Sequence, residues 1–230
     1  MKSEVLGNPQ ELAARAVELL IEASIEAIEA RGRFNWAVSG GSTPRLMLEL
    51  LSVSTELDWS KTHLFQVDER IAPEGSDQRN ATMLSQALLT DEFLQNNKPA
   101  GIHLMPVNAP SEQEGAAEYS KLLLEQLGEP PIFDLVQLGL GSDGHTASLI
   151  PDDPILDVED RTVAISQVYQ GTQRMSLTWP VLDKARQLLW VVGGESKQEA
   201  VKQLIDRDPA IPGSLPSQDR AMLLLDEAAS

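Results

Sequence analysis

The chain has 230 residues, of which 42% are hydrophobic, and a formal net charge of −17. This composition can fill the core of a globular protein, whereas the negative charge argues against nucleic acid and anionic membranes as partners, because both require a basic surface. Cysteine is absent, which excludes disulfides and thiolate chemistry.

No apolar run approaches the roughly 20 residues of a membrane span. The sequence does not open with a basic region followed by an apolar stretch, so we expect no signal peptide and a cytoplasmic protein. We expect a single domain over residues 1–230, and the sequence leaves open whether it is a monomer or a small homo-oligomer.

Helices and strands alternate along the chain. Asn8 is the predicted N-cap of a first helix, with Pro9 as its first residue, Glu11 closing a capping box and Gly32 at its end. Further helices are expected over 45–51, 79–89 and 111–127. The last long helix is expected to start at Ser196, with Glu199 completing its capping box. Strands are expected over 34–39, 63–67, 133–138, 162–168, 174–178, 187–192 and 222–225, with a short one within 101–107. This alternation predicts a parallel α/β sheet, in which ligands bind beyond the carboxyl ends of the strands.

The central feature of the sequence follows the apolar strand 133–138. Gly139 and Gly141 permit a sharp turn and a close approach of the backbone to a ligand. Asp143 and His145 lie on that turn, where a short helix is expected to begin. A histidine exchanges a proton near neutral pH, so next to an aspartate at a strand end it is a candidate general acid or base.

The same turn also fits a dinucleotide-binding loop or a purely structural turn. Gly139, Gly141 and Gly144 match the dinucleotide pattern G-x-G-x-x-G, but that pattern needs a long helix after it, and Pro151 and Pro154 would end the expected helix after about two turns. A tight structural turn with a capping histidine stays open as an alternative.

Ser39, Gly40, Gly41 and Ser42 form a second Gly-rich loop between a strand and a helix. The loop lacks the spacing of a P-loop, but its amides, its hydroxyls and the positive end of the helix dipole suit a phosphate or carboxylate. An ordinary capped β–α turn offers the same donors, so an anion site and a structural turn both remain open.

Further charged candidates follow other strands. Asp68, Glu69 and Arg70 end a predicted strand, and Asp68 and Glu69 are not expected to act as a pair, because neighbours on a strand face opposite ways. Lys197 lies in the first turn of the last predicted long helix, where a bound anion would offset its unfavourable interaction with the helix dipole. These charges, like Arg174, can also be solvated surface groups.

Candidate ligand residues thus follow four predicted β–α crossings, at 39–43, 68–70, 139–145 and 193–197. This is the arrangement of a parallel-sheet enzyme with one crevice. The three histidines show no metal-binding spacing, so His63 and His103 are interpreted as structural.

Five segments of the chain resemble the glucosamine-6-phosphate isomerase/6-phosphogluconolactonase superfamily. They are Ser-Gly-Gly-Ser-Thr-Pro at 39–44, Asp-Glu-Arg at 68–70, Gly-Leu-Gly-Ser-Asp-Gly-His-Thr-Ala-Ser at 139–148, Arg-Met-Ser-Leu-Thr at 174–178 and Gly-Gly-Glu-Ser-Lys at 193–197. Arg70 and the run after His145 resemble the lactonases, since the deaminases typically have Asp-Glu-Tyr and Gly-His-Ile-Ala-Phe-Asn-Glu. The resemblance implies a modified Rossmann-like, doubly wound, mostly parallel α/β sheet.

The resemblance also implies hydrolysis of 6-phospho-D-glucono-1,5-lactone to 6-phospho-D-gluconate in the oxidative pentose phosphate pathway, without a metal or organic cofactor. His145 would act as general base on water and general acid on the ring oxygen, with Asp143 orienting it. The sugar phosphate would bind in the crevice that Asp68 lines, with its phosphate on Arg70, Lys197, the 39–42 amides and Arg174. Backbone amides of a Gly-rich loop are candidate stabilisers of the oxyanion.

Two alternatives remain beside the lactonase. A non-catalytic sugar-phosphate sensor would have no reason to keep His145 in the crevice. A sugar-phosphate isomerase or deaminase on the same fold is the second alternative, whereas a scaffold protein fits poorly with four polar strand ends.

Overall fold

The computed structural model describes residues 1–230 and contains ten strands and seven α-helices. The strands are β1 (Lys2–Leu6), β2 (Phe34–Val38), β3 (Thr62–Gln66), β4 (Asp68–Arg70), β5 (Gly101–His103), β6 (Leu135–Leu138), β7 (Val163–Ile165), β8 (Arg174–Leu177), β9 (Leu188–Val192) and β10 (Ala221–Asp226). The helices are α1 (Pro9–Arg31), α2 (Ser42–Val53), α3 (Asn80–Ala87), α4 (Asp91–Asn96), α5 (Glu112–Leu127), α6 (Trp179–Asp183) and α7 (Gln198–Asp206). None of these helices has an apolar stretch long enough to cross a membrane.

Seven strands form one sheet in the order β1-β10-β9-β6-β2-β3-β5, and every neighbouring pair is parallel. Strands β4, β8 and β7 form a second, antiparallel sheet. The predicted mostly parallel α/β fold is confirmed. Because β9, β6 and β2 are neighbours in the large sheet, the loops that follow them meet at one edge.

The central strands are buried on both faces, as expected for a parallel sheet covered by helices. In β9, Trp190 belongs to the core that includes Tyr119 of α5, whereas its neighbour Val191 belongs to the opposite core, with Leu12 of α1 and Met47 of α2. Successive side chains of a strand point to opposite faces, so one apolar strand contributes to both cores.

The predicted ends of α1 are confirmed. Asn8 Oδ1 accepts a hydrogen bond of 2.9 Å from the Glu11 amide, and the Glu11 carboxylate accepts one of 2.8 Å from Asn8 Nδ2. Gly32 ends the helix in the left-handed conformation, with a φ of 78°, which glycine adopts without steric cost.

The short helix expected at His145 is wrong. Gly144 and Ala147 have φ values of 82° and 51°, which interrupt any helix. The segment forms a closed turn, in which the Gly141 amide donates to the His145 carbonyl (2.7 Å) and Thr146 Oγ1 donates to the Gly139 carbonyl (2.9 Å). The turn holds His145 at the strand end without a helix.

The expected start of the last long helix is also wrong. Residues Glu195–Lys197 form a 3₁₀ turn and α7 begins at Gln198, with no capping bond from Ser196 or from Glu199. Gly194, with a φ of 98°, turns the chain out of the large sheet, so the first turn winds tightly before the α-helix begins.

The prediction that 68–70 belongs to a β–α crossing is wrong. This segment is β4, which pairs antiparallel with β8, with Glu69 opposite Met175. The Leu177 amide donates to the Val67 carbonyl (2.9 Å), so the chain leaves the large sheet at Val67 and enters the small one. The strand expected over 162–168 is shorter in the structure, where β7 ends at Ile165. The chain then turns back, and β8 pairs antiparallel with β7.

Candidate active site

A cleft of about 200 Å³ opens where β2, β6 and β9 end. Every residue that the sequence analysis placed in the site lines it except Asp143: Ser39, Gly40, Gly41, Ser42, Asp68, Arg70, His145, Arg174 and Lys197. The adjacency of the three strands brings together loops that begin more than 50 residues apart in sequence.

Asp143 touches His145. Asp143 Oδ1 lies 2.6 Å from His145 Nδ1, and the side chains are 36% and 23% exposed, respectively. An ionised carboxylate only accepts hydrogen bonds, so Nδ1 carries the proton and the lone pair of the imidazole is on Nε2. Nε2 has no hydrogen-bond partner within the chain, which makes it the nitrogen available to a reactant in the cleft.

The charge of Asp143 is secured by its neighbours. Partial burial raises the pKa of Asp143, but hydrogen bonds from Tyr169 and His145, together with the charge of His145, outweigh burial and hold that pKa below its usual value. Asp143 is therefore ionised at neutral pH and favours a proton on His145 Nδ1.

Gly141 is required where the turn passes the dyad of Asp143 and His145. A Cβ at this position would lie 2.0 Å from His145 Nδ1 and 2.4 Å from Asp143 Oδ1. At Gly139, two residues earlier, a Cβ would meet nothing within 4 Å. The glycine at 141 thus gives the dyad its space.

The cleft contains three cations that form no ion pair: Arg70, Arg174 and Lys197. Arg70 and Arg174 face each other across β4 and β8. Arg174 is only 4% exposed, its Nε has no hydrogen-bond partner, and its burial, followed by the charge of Arg70, lowers its pKa. Two guanidinium groups in such proximity favour an anion beside them.

Asp68 and Glu69 face opposite ways, as predicted. Asp68 Oδ2 accepts a hydrogen bond of 2.6 Å from Ser148 Oγ beside the cleft. The fully buried Glu69 turns to the start of α3, where its carboxylate accepts from the amides of Asn80 (2.7 Å) and Ala81 (2.8 Å). Glu69 therefore caps α3 and does not line the cleft.

Asn80 is a cleft residue that the sequence analysis did not identify. Its side chain accepts a hydrogen bond of 2.6 Å from Arg70 Nη1 and donates one of 2.8 Å to the Asp68 carbonyl. A Cβ at Gly40 would lie 1.9 Å from Asn80 Oδ1. The glycine thus lets the first Gly-rich loop pack against this amide; the expected helix start at Asn80 was the one sequence feature that pointed to it.

The first Gly-rich loop contains backbone amides that donate no hydrogen bond within the chain. Ser39 donates through Oγ to the Gln137 carbonyl (3.0 Å) and through its amide to Gln137 Oε1 (3.1 Å), so it anchors the loop to β6. The amides of Gly40 and Gly41 have no acceptor in the chain. These two donors can bind an anionic oxygen.

Three further residues with charged or titratable side chains, Arg79, His63 and His103, lie outside the cleft lining. Arg79 is buried, lies 3.7 Å from Glu69 and does not line the cleft, unlike Arg174. His63 Nδ1 and His103 Nε2 lie 3.1 Å apart on β3 and β5, also outside the cleft lining.

Tyr169 does not line the cleft, but it contacts Asp143 and Arg174 and was not identified from the sequence. Its hydroxyl donates to Asp143 Oδ2 at 2.8 Å. Tyr169 lies 26 residues from Asp143 in sequence, and only the folding of the small sheet brings the two together.

Residues 7–224 match the model of the family described as glucosamine-6-phosphate isomerases/6-phosphogluconolactonase. The 6-phosphogluconolactonase of Synechocystis is 35% identical over 98% of this chain and 95% of its own length. The crystal structure of 6-phosphogluconolactonase from Leishmania guyanensis superposes with a TM-score of 0.82 at 26% identity, covering 99% of this chain and 97% of that one.

A monomeric glucosamine-6-phosphate deaminase superposes almost as well, with a TM-score of 0.81 over 100% of this chain and 98% of that one, but at 17% identity. The fold is therefore common to both activities, and the sequence match to the lactonases is the closer of the two. The chain belongs to the glucosamine-6-phosphate isomerase/6-phosphogluconolactonase family.

Proposed function

We propose that this chain is a carboxylic ester hydrolase that opens 6-phospho-D-glucono-1,5-lactone to 6-phospho-D-gluconate. The observation that carries the proposal is the Asp143–His145 contact of 2.6 Å beside a cleft with three cations that form no ion pair. An acid/base group and a phosphate site in one cleft match the two ends of this substrate. Two relatives that match over 98% of this chain, from Synechocystis and Nostoc, carry the name 6-phosphogluconolactonase, which supports the same activity.

In the mechanism we propose, His145 transfers the proton. Nε2 accepts a proton from water as the water oxygen attacks the lactone carbonyl carbon. The tetrahedral intermediate then collapses, the bond between that carbon and the ring oxygen breaks, and the imidazolium returns its proton to the departing oxygen. The product has a free hydroxyl and a carboxylic acid, and the carboxylic acid ionises and releases a proton. Asp143 stabilises the imidazolium between the two transfers.

We assign the phosphate to the three cations of the cleft and to the first Gly-rich loop. Arg70 and Arg174 offer planar guanidinium forks that match phosphate oxygens, and Lys197 adds a point charge. The free amides of Gly40 and Gly41 add donors at the start of α2, where the helix dipole favours negative charge. The net charge of the chain is −17, so this local concentration of cations is required to attract an anionic substrate.

The test is acid release from freshly generated lactone, at a pH low enough to slow its spontaneous hydrolysis. Glucosamine 6-phosphate, assayed for ammonia, is measured in parallel. Faster lactone opening without ammonia release supports the proposal. Ammonia release would instead place the chain among the deaminases, and binding of sugar phosphate without either reaction would favour the sensor.

A further inference from the structure

Tyr169 lies at the tip of the hairpin between β7 and β8. Gln170 and Gly171 have φ values of 51° and 90°, and two consecutive positive φ values are typical of a type I′ turn. Tyr169 and Thr172 pair across this turn, through amide-to-carbonyl hydrogen bonds of 2.9 and 3.4 Å. The backbone of Tyr169 is therefore fixed by a regular turn.

The Tyr169 hydroxyl connects this hairpin to the dyad. Because the Asp143 carboxylate only accepts, the hydroxyl donates to it (2.8 Å), while the hydroxyl oxygen accepts from Gln170 Nε2 (3.2 Å). Gln170 Oε1 accepts in turn from Arg174 Nη2 at 3.3 Å. A continuous row of hydrogen bonds thus runs from Arg174, one of the three cations of the cleft, to His145.

The Tyr169 ring makes two further contacts in the site. The Arg174 guanidinium carbon lies 4.9 Å from the ring centroid, within the range of cation–π attraction. The His145 imidazole packs against the ring in a T-shaped arrangement, with centroids 5.5 Å apart. The hydroxyl and the ring together contact three residues, Asp143, His145 and Arg174, to which the family resemblance assigns the chemistry and the phosphate.

We propose that Tyr169 is a positioning residue: its hydroxyl holds the Asp143 carboxylate against His145 and so keeps the imidazole proton on Nδ1. The kinetic consequence of this inference rests on the proposed function, whereas its structural part does not. Without the hydroxyl, the Asp143 carboxylate keeps only its bonds from His145, through Nδ1 (2.6 Å) and the backbone amide (3.3 Å). Asp143 is more than a third exposed, so water then competes with His145 for this carboxylate. An imidazole in water carries its proton mainly on Nε2, and in that form Nε2 cannot accept a proton from a reactant.

The experiment is Tyr169→Phe, which keeps the ring and removes the hydroxyl. The tautomer of His145 is measured from the ¹⁵N chemical shifts of its ring nitrogens in histidine-labelled protein at pH 8, with the resonances assigned by their loss in His145→Gln. We expect the wild type to carry the proton on Nδ1 and Tyr169→Phe to shift part of the population to Nε2. The kcat for the lactone should fall about tenfold, the rate equivalent of one hydrogen bond to a charged group, with KM unchanged.

Tyr119→Phe is the matched control, because Tyr119 is the other of the two tyrosines in the chain and its hydroxyl bonds to the Gln66 amide in the core. It should leave the His145 tautomer and kcat as in the wild type. A folded Tyr169→Phe chain with the wild-type tautomer would overturn the positioning role, whatever its kcat. A wild type without lactonase activity would overturn the proposed function alone, because the tautomer measurement needs no turnover.

Discussion

Asn80 holds Arg70 at the cleft through a hydrogen bond of 2.6 Å from the guanidinium Nη1 to the amide Oδ1. The same amide donates to the Asp68 carbonyl, and Asn80 is only 3% exposed. Because the partner is a neutral amide, Arg70 is held in place and its charge remains unneutralised. This arrangement suits a cation that must bind a phosphate.

Asn80→Ala should therefore impair binding more than chemistry. We expect KM for the phosphorylated lactone to rise about tenfold, with a smaller change in kcat, and the free energy of unfolding to fall by about 1–3 kcal/mol because buried partners lose their hydrogen bonds. Steady-state kinetics and urea unfolding measure the two effects. Asn96→Ala, on an exposed position of α4, is the control; an unchanged KM in Asn80→Ala would show that the amide does not position Arg70.

The cations should discriminate between ligands with and without phosphate. We expect Arg70→Ala and Lys197→Ala to weaken binding of 6-phosphogluconate at least tenfold, because each removes a charge-assisted contact, and to change binding of gluconate little. Calorimetry of both ligands measures this difference. Lys202→Ala, at an exposed position of α7, should change neither affinity, and equal losses for both ligands in the cleft variants would remove these cations from the phosphate site.

Local patterns of the sequence predicted the loops of the cleft well. Glycine pairs after buried strands indicated where the backbone turns, and the rule that ligands bind at the carboxyl ends of parallel strands indicated that these turns would meet. The capping residues Asn8 and Glu11 indicated the start of α1 correctly, because their hydrogen bonds join close neighbours in the chain. The same pattern failed at Ser196 and Glu199, where the chain leaves the large sheet through Gly194 and winds first into a 3₁₀ turn.

Contacts that depend on tertiary structure were missed. Tyr169 reaches Asp143 across 26 residues, and Asn80 reaches Arg70 across 10, through a strand that leaves the large sheet. The helix expected after His145 is absent because Ala147 takes a left-handed conformation. Alanine rarely adopts this conformation, so the sequence did not predict it.

Gly141→Ala should abolish most activity while the neighbouring Gly139→Ala leaves the fold intact. An added Cβ at 141 would overlap His145 Nδ1 at 2.0 Å and push the imidazole from Asp143, whereas one at 139 meets open space. We expect a fall in kcat of about 100-fold for Gly141→Ala, comparable to losing an oriented acid/base group. Thermal unfolding of both variants separates this effect from misfolding, and a Gly141→Ala chain with wild-type kcat would contradict the proposed geometry.

His145→Gln should lose catalysis and keep binding. Removal of the general base is expected to lower kcat by about 100- to 10,000-fold, while the affinity for 6-phosphogluconate stays within about twofold because the cations remain. His63→Gln, in the sheet outside the cleft, is the matched control for replacing a histidine. Wild-type turnover in His145→Gln would refute the assigned base.

The stability of the chain should depend on pH through His103. Burial, followed by the charge of His63, lowers the pKa of His103 to about 4 from its ordinary value of 6.5. Between about pH 6.5 and pH 4, His103 is protonated in the unfolded chain but stays neutral in the folded chain. His103 therefore causes the free energy of unfolding to fall as the pH is lowered through this window.

His103→Gln removes that proton uptake from the unfolded state. The variant loses the stacking of His103 on Phe65, at a centroid distance of 4.3 Å, and is expected to be less stable than the wild type at pH 7.5. The difference in the free energy of unfolding between the two chains should then narrow as the pH falls to about 4. Protonation of residue 103 in the unfolded state destabilises only the wild type, because glutamine does not titrate. Urea unfolding at pH 7.5, 6, 5 and 4 measures it. A difference that stays constant over this range would show that His103 titrates alike in the folded and unfolded chains. Burial, followed by the charge of Arg33, lowers the pKa of His63 as well, so the stability difference between the wild type and His63→Gln should change with pH in the same direction.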